Sequence, residues 1–311
     1  MATIMITEFM EFEQVNEMSK IHNVIYEPEI YLNTAEIIEK ISNIDALIVR
    51  NKTEVSKNIL SLAKNLKVIG RLGVGLDNID IDFCKKNKIS VIIAEGANAN
   101  SVCEYVLMGI LTLFRGTRLS TEKIINGEWD RKGNTGFEIK NKILGIVGIG
   151  TIGRIVAKKA GNLGMKLIGT DIEISDDDEI WNDLNIQCAS IDEVLQKSDV
   201  ISLHVPLTKN TKNLFGKKEF EKMQKGSFII NTSRGGIIDE KALLDSLNKM
   251  HLGGAMLDVF ENEPLNSPNK FAKFDNVILT PHIAGLTNQS NSRVSKMITK
   301  HILDFLKEEN A

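Results

Sequence analysis

The chain has 311 residues, 42% of them hydrophobic and 25% charged, which suits two globular domains and excludes a disordered or fibrous chain. A net charge of -3 leaves no global field to recruit nucleic acid or an anionic membrane. The three cysteines, Cys84, Cys103 and Cys188, are scattered without Cys-x-x-Cys spacing, so reduced thiols and a cytoplasmic setting are expected.

Short β-branched runs stand at residues 3–7, 23–26, 46–50, 67–71 and 90–94. Helical stretches such as 33–41 and 54–65 lie between them, the pattern of βαβ units on a parallel sheet. No basic n-region precedes the first run, so a signal peptide is not expected. A helix is predicted at about 100–115. Its apolar part, 102–114, contains Glu104 and falls short of the ~20 residues of a membrane span, so it reads as a buried helix. A polar segment, 116–142, then leads to a second series of strands at 143–147, 166–171, 200–204, 227–231, 255–259 and 277–279. By count this is a complete doubly wound sheet. In the last stretch, 290–306, Val294, Met297, Ile298, His301 and Ile302 recur at helical spacing. Such a helix can return to cover a face of the first sheet.

The run at 143–147 leads into Gly148-Ile149-Gly150-Thr151-Ile152-Gly153, and a helical pattern follows. Strand, Gly-x-Gly-x-x-Gly, helix is the dinucleotide-binding order. Gly148 permits the turn, Gly150 lets backbone approach a pyrophosphate, and Gly153 lets helix and strand pack closely. The next strand ends at Asp171, whose carboxylate suits the adenosine ribose hydroxyls and repels a 2′-phosphate. NAD is therefore expected over NADP. Only five histidines occur, with no His-x-x-x-His or Cys/His cluster, so no metal is expected.

Three later segments put polar residues just beyond apolar strands: 230–236 with Arg234, 258–264 with Asp258 and Glu263, and 279–285 with His282. Ligands of open α/β sheets bind beyond the carboxyl ends of strands. Taken singly, the histidine could be structural, the arginine a helix cap and the glutamate a solvated turn residue. Together they supply a carboxylate binder, an acid–base group and a residue to tune it. That set suits hydride transfer at C2 of a small 2-hydroxy acid.

Along essentially its whole length the chain resembles the D-isomer-specific 2-hydroxyacid dehydrogenases. The matching motifs are 71–80, Gly148 to Gly153, 204–208, 231–236, 258–264 and 281–285. The resemblance implies two Rossmann-like doubly wound domains: a split, flavodoxin-like substrate domain at 1–98 and 286–311, and an NAD-binding domain at 99–285. It implies Arg234, Glu263 and His282 as the catalytic group. His282 would take the hydroxyl proton on oxidation and return it on reduction. Glu263 beside it would favour the imidazolium, and Arg234 would pair with the substrate carboxylate. Val74 and Gly75 would present amides to the same carboxylate. Asp258 would lie near the nicotinamide carboxamide, and His204, Pro206 and Thr208 on the adenosine side. Thr151, Ile152, Thr232 and Gly285 complete the expected cofactor positions.

Within the family the chain is most similar to the phosphoglycerate dehydrogenase branch. Arg50, Arg71 and Arg131 match its phosphate-binding arginines, the last supplied by a neighbouring subunit. Asn51 stands where that branch often has Ser, and no appended regulatory domain is expected. This implies oxidation of 3-phosphoglycerate to 3-phosphohydroxypyruvate, as in serine biosynthesis, by a homodimer or a tetramer. Sulfolactate and hydroxypyruvate/glyoxylate enzymes are rivals of the same class. An NAD-sensing corepressor-like protein is the rival from another class. Gln, expected where Glu263 stands in formate dehydrogenases, is absent.

Overall fold

A computed structural model describes residues 1–118, 120–265 and 269–309. Leu119 of the polar segment and residues 310–311 of the expected split domain lie outside the described residues. The chain forms two compact units, Met1–Asn98 with Leu286–Ala311, and Ala99–Gly285.

The first unit begins with β1 (Thr3–Ile6), α1 (Phe12–Ser19), β2 (Asn23–Tyr26), α2 (Thr34–Ile41) and β3 (Ala46–Val49). It continues with α3 (Lys57–Leu60), β4 (Val68–Arg71), α4 (Ile81–Lys86) and β5 (Ser90–Ile93). The second unit opens with α5 (Ala99–Arg115), α6 (Ser120–Ile125), β6 (Ile143–Val147), α7 (Thr151–Asn162) and β7 (Lys166–Thr170). Then come α8 (Ile180–Asp183), β8 (Ile186–Cys188), α9 (Ile191–Lys197), β9 (Val200–Leu203) and α10 (Lys217–Lys222). It closes with β10 (Phe228–Asn231), α11 (Glu240–Asn248), β11 (Gly254–Leu257) and β12 (Val277–Leu279). The chain then returns to the first unit as α12 (Asn288–Glu308).

The first unit's sheet has five parallel strands in the order β2-β1-β3-β4-β5, the flavodoxin-like arrangement. Both faces are covered, so its strands are apolar throughout rather than alternating. Ile4, Ile6 and Ile48 pack on one side with Val15 and Met18 of α1. Met5, Leu47 and Val49 pack on the other with Ile37 and Ile41 of α2. Val294, Ile298, Ile302 and Leu306 of α12 join the first of these cores. Burying each such side chain is worth about 1.5–3 kcal/mol. Closure entropy grows only logarithmically with loop length, so this stripe can hold a helix that arrives after an entire second unit.

The second unit's sheet has the order β12-β11-β10-β9-β6-β7-β8, again all parallel. Read outward from β6, this is the Rossmann order with one further strand. Leu144 and Ile146 of β6 pack with Val106 and Ile110 of α5 and Val156 of α7. Ile201 and Leu203 of β9 face Leu195 of α9, Phe220 of α10 and Leu243 of α11.

Two local expectations are corrected and one detail is added. The second sheet has a strand more than predicted: β8 is only Ile-Gln-Cys with Ile186 buried, too short to carry a periodic signal. The helix expected at 54–65 shrinks to α3. Val55 is drawn into a bridge with Ile79, donating to Asn78 O at 2.8 Å and accepting from Asp80 N at 3.0 Å, so no helix starts before Ser56. The polar segment holds α6, a helix with no buried residue.

Candidate active site

At the carboxyl end of β6, Gly148 has φ +97°, and a Cβ there would sit 2.8 Å from the His204 carbonyl. A Cβ on Gly153 would sit 2.1 Å from Gly148 O. Around Gly150, in contrast, nothing lies within 4 Å of a built Cβ. The loop is thus tight where it packs on β9 and its own helix, and open where a pyrophosphate would lie. α7 starts at Thr151, and the first amides of a helix have no carbonyl partner within it. Asp171 anchors the same loop: Oδ2 accepts from Ile149 N at 2.6 Å and Oδ1 from Glu173 N at 2.8 Å. Just beyond β10, Thr232 Oγ1 is buried with no hydrogen-bond partner among the described residues. At the carboxyl end of a strand such a hydroxyl is available to a ligand atom. These features fit a dinucleotide.

After β9, His204 Nε2 lies 2.9 Å from Ser202 Oγ. Burial pushes the His204 imidazole down to about 4, so the ring is neutral at ordinary pH. Thr208 Oγ1 accepts from the amides of Asn210 and Thr211, both at 3.2 Å, and Thr211 Oγ1 donates to Pro206 O at 2.6 Å. Pro206 and Thr208 therefore belong to one self-braced turn.

Arg234, Glu263 and His282 follow β10, β11 and β12, three adjacent strands. His282 Nδ1 meets Glu263 Oε2 at 2.8 Å, and Glu263 Oε1 accepts from Phe260 N at 3.0 Å. Burial pushes the Glu263 carboxyl up, but the His282 hydrogen bond, the Phe260 amide and the Arg234 charge outweigh it and hold it below the usual range. The ionised carboxylate favours the tautomer with the proton on Nδ1, which leaves Nε2 as the nitrogen available for proton transfer.

Asp258 fixes the loop that carries His282. It is 1% exposed, and its Oδ1 accepts from Thr280 Oγ1 at 2.7 Å and Ile283 N at 2.8 Å. Its Oδ2 accepts from Ala284 N at 2.8 Å, next to Gly285. The bonds fall on both sides of His282, whose φ of +55° is left-handed. Such strain persists only where the surroundings over-determine it. Sequence reasoning assigned Asp258 to the cofactor and did not find this bracing role.

In the first unit Arg50 and Arg71 leave the same edge of neighbouring strands, with Val49 paired to Arg71. Arg50 is held through its backbone and one end of its side chain. Its amide donates to Glu8 Oε1 at 2.8 Å and its carbonyl accepts from Asn78 Nδ2 at 3.2 Å. Its Nη2 donates to Asn291 Oδ1 at 2.6 Å, and the guanidinium lies 5.8 Å from the Phe9 ring centroid. Burial pushes the Arg50 pKa down, against the fields of Glu8 and Glu11. Glu8, only 3% exposed, also accepts from the amides of Lys52 and Thr53 and so moulds the turn that exposes Asn51. Arg71 Nη1 donates to Leu72 O at 3.0 Å at the head of the turn carrying Val74 and Gly75. Arg131 is exposed between α6 and β6. Glu8, Asn78 and Asn291 were missed, because their contacts are distant in sequence.

The family model described as "D-isomer specific 2-hydroxyacid dehydrogenase, NAD binding domain" matches residues 107–284. The chain is 42% identical to the (S)-sulfolactate dehydrogenase of Chromohalobacter salexigens over 95% of each chain. It is 35% identical to the D-3-phosphoglycerate dehydrogenase of Archaeoglobus fulgidus over 98% of this chain and 57% of that one. The structure of an Aquifex aeolicus D-lactate dehydrogenase complexed with NAD and lactic acid matches with TM-score 0.88 and 28% identity, covering 98% of this chain and 96% of that one.

Three outcomes are expected. Asp171→Ala removes the anchor of the glycine loop and the carboxylate expected to meet the adenosine ribose, so NAD binding is expected to weaken and the gap to NADP to narrow. Equal wild-type kinetics with both cofactors would contradict this role. His282→Ala removes most turnover, general acid–base groups being worth typically ~10²–10⁴-fold, while NADH binding stays near normal. Glu263→Gln no longer favours the imidazolium, so the alkaline fall-off of keto-acid reduction moves to lower pH. Steady-state pH profiles check both, and full turnover without His282 would end the mechanism.

Proposed function

As a member of the D-isomer-specific 2-hydroxyacid dehydrogenases, the chain is an NAD-dependent oxidoreductase of small 2-hydroxy acids, and we propose that its substrate carries an oxyanion on C3, with (S)-sulfolactate the first choice. The observation that carries the reading is Arg50, a half-buried cation whose side-chain partners, Asn291 and Phe9, are both neutral. No carboxylate lies in salt-bridge range of it among the described residues. Charges taken out of water are normally paired, and an anionic ligand supplies the missing partner.

Sulfonate replaces phosphate as the first expectation for two reasons. A sulfolactate dehydrogenase matches along 95% of both chains. The fields of Glu8 and Glu11 at Arg50 also favour a monoanion over a dianion. The stereochemistry agrees. Sulfur on C3 outranks the carboxyl group in the naming rules, so (S)-sulfolactate has the same arrangement about C2 as D-3-phosphoglycerate.

In this mechanism Arg234 pairs with the substrate carboxylate and orients the C2 hydroxyl. His282 Nε2 takes the hydroxyl proton, and Glu263 stabilises the imidazolium that forms. The Gly148 to Gly153 loop, Asp171 and Thr232 would hold NAD, which when bound would supply the hydride acceptor for C2. Asp258 keeps His282 in place. On reduction the imidazolium returns its proton to the C2 oxygen.

A homodimer is part of the proposal. Met108 and Leu111 of α5 are exposed, as are Ile125 at 79% and Trp129 at 80%. Light scattering at micromolar concentration is expected to give a dimer or a tetramer. A monomer alone would remove the cross-subunit role of Arg131.

Losing one charged contact costs about 1.5–3 kcal/mol. Arg50→Ala is therefore expected to lower kcat/KM for sulfolactate, and for 3-phosphoglycerate if that is turned over, by about tens of fold or more, and to spare glycerate. Wild-type enzyme that used glycerate as well as the C3 anions would sink the proposal. Preference for 3-phosphoglycerate over sulfolactate would restore phosphate as the substrate group.

A further inference from the structure

The mechanism leaves unused one ion pair whose acid is buried. Glu240 is the first residue of α11, and its side chain is 6% exposed. An acid at that position ordinarily serves the free amides of its own helix. Here Asp239 already caps α11, its Oδ1 accepting from Ala242 N at 3.0 Å. Glu240 turns instead to another loop. Its Oε1 accepts from Glu261 N at 2.6 Å, and its Oε2 meets Lys270 Nζ at 2.5 Å. In return, the Glu240 amide donates to Glu261 Oε1 at 3.1 Å.

Glu261 belongs to the short loop that ends in Glu263. The same loop presses on the segment carrying Arg234: a Cβ on Gly235 would sit 1.7 Å from Phe260 O. Phe271, beside Lys270, packs on Phe260 with ring centroids 6.5 Å apart. The apolar contacts set the depth of the loop. The two-way bond between Glu240 and Glu261 sets its position along α11.

We propose that Glu240, charge-balanced by Lys270, is a positioning residue that holds this loop so that Glu263 meets His282 Nδ1 and Arg234 in one geometry. The inference rests on reading Glu263 and His282 as the acid–base pair. Glu240 itself touches neither substrate nor cofactor. Its effect is therefore on kcat and on the pH profile rather than on the KM for NADH.

The test is keto-acid reduction by Glu240→Ala, Glu240→Gln and the double variant Glu240→Ala/Glu263→Gln. A misplacement of about 1 Å can cost up to ~100-fold, so Glu240→Ala is expected to lose kcat by roughly ten- to a hundredfold. Its alkaline limb moves to lower pH, as in Glu263→Gln. Glu240→Gln keeps an oxygen for the Glu261 amide and recovers most of kcat. In the Glu263→Gln background, Glu240→Ala adds little, because its effect runs through Glu263. An alkaline limb at the wild-type pH in Glu240→Ala, or losses that multiply in the double variant, would overturn the inference. If Glu240→Ala does not fold, Lys270→Met, which strips only the counter-charge, is read the same way: a downward limb supports the tie and an unmoved limb refutes it. His282→Ala separates the two levels. Full activity there removes the acid–base reading itself, whereas a dead His282→Ala beside a wild-type pH profile in Glu240→Ala removes only the positioning role.

Discussion

All strands of each sheet run the same way, so all loops leaving their carboxyl ends emerge along one edge. Where successive crossovers go to opposite faces of the sheet, the neighbouring loops part and leave a crevice. In the second unit that point lies between β6 and β9, where Gly148 abuts the backbone of His204. In the first it lies between β1 and β3, where Glu8 meets the turn of Arg50. Adjacent parallel strands also explain how Arg234, Glu263 and His282, far apart in sequence, share an edge: β10, β11 and β12 are neighbours. The chemistry is a consequence of strand order before it is a matter of side chains.

Sheet pairing stops where the strands stop, so the functional loops need other fastenings. Three buried acids supply them. Glu8 collects amides from the turn after β3, Asp258 from the loop after β12, and Glu240 from the loop after β11. Each accepts from a segment other than its own. Hydrogen bonds to a charged group are worth about 1.5–3 kcal/mol, roughly twice neutral ones, so few are needed per loop. Some of the chain's strained or unsatisfied groups stand at this edge: the left-handed His282, the orphan hydroxyl of Thr232 and the neutral-partnered Arg50 are all at carboxyl-end loops. Rules broken locally amid consistent surroundings mark places shaped for a ligand.

This division also separates what could be read in the sequence. Buried parallel strands are continuous β-branched runs, so β2, β6 and β12 match their predicted bounds and most others differ by a residue or two. The glycine loop and the polar residues after β10, β11 and β12 stood out against those runs. The fastenings did not. Glu8 and Arg50 are 42 residues apart, and Arg50 and Asn291 are 241 apart. Periodicity and spacing are local signals, and nothing local distinguishes an acid that will brace a remote turn from one that will face water. The shortened α3 has the same origin: the pull on Val55 comes from Ile79, beyond the reach of helix propensity.

The two ends of the proposed substrate then carry different burdens. Every 2-hydroxy acid offers Arg234 the same carboxylate, so that contact lowers the barrier for all of them and discriminates among none. Selection has to come from C3. A pocket that merely accommodates a methyl or hydroxymethyl group separates substrates by only about 1–3 kcal/mol. A site built around a polar group rejects a ligand that lacks the partner far more strongly, because the buried group is left unmatched. Arg50 has that character. Glu8 and Asn78 fix its backbone, while Asn291 and Phe9 hold the guanidinium without neutralising it. Aspartate at position 291 would make the arginine more comfortable in the free protein and remove its reason to prefer an anion. The neutral amide keeps the charge in place and unspent until the substrate supplies its own.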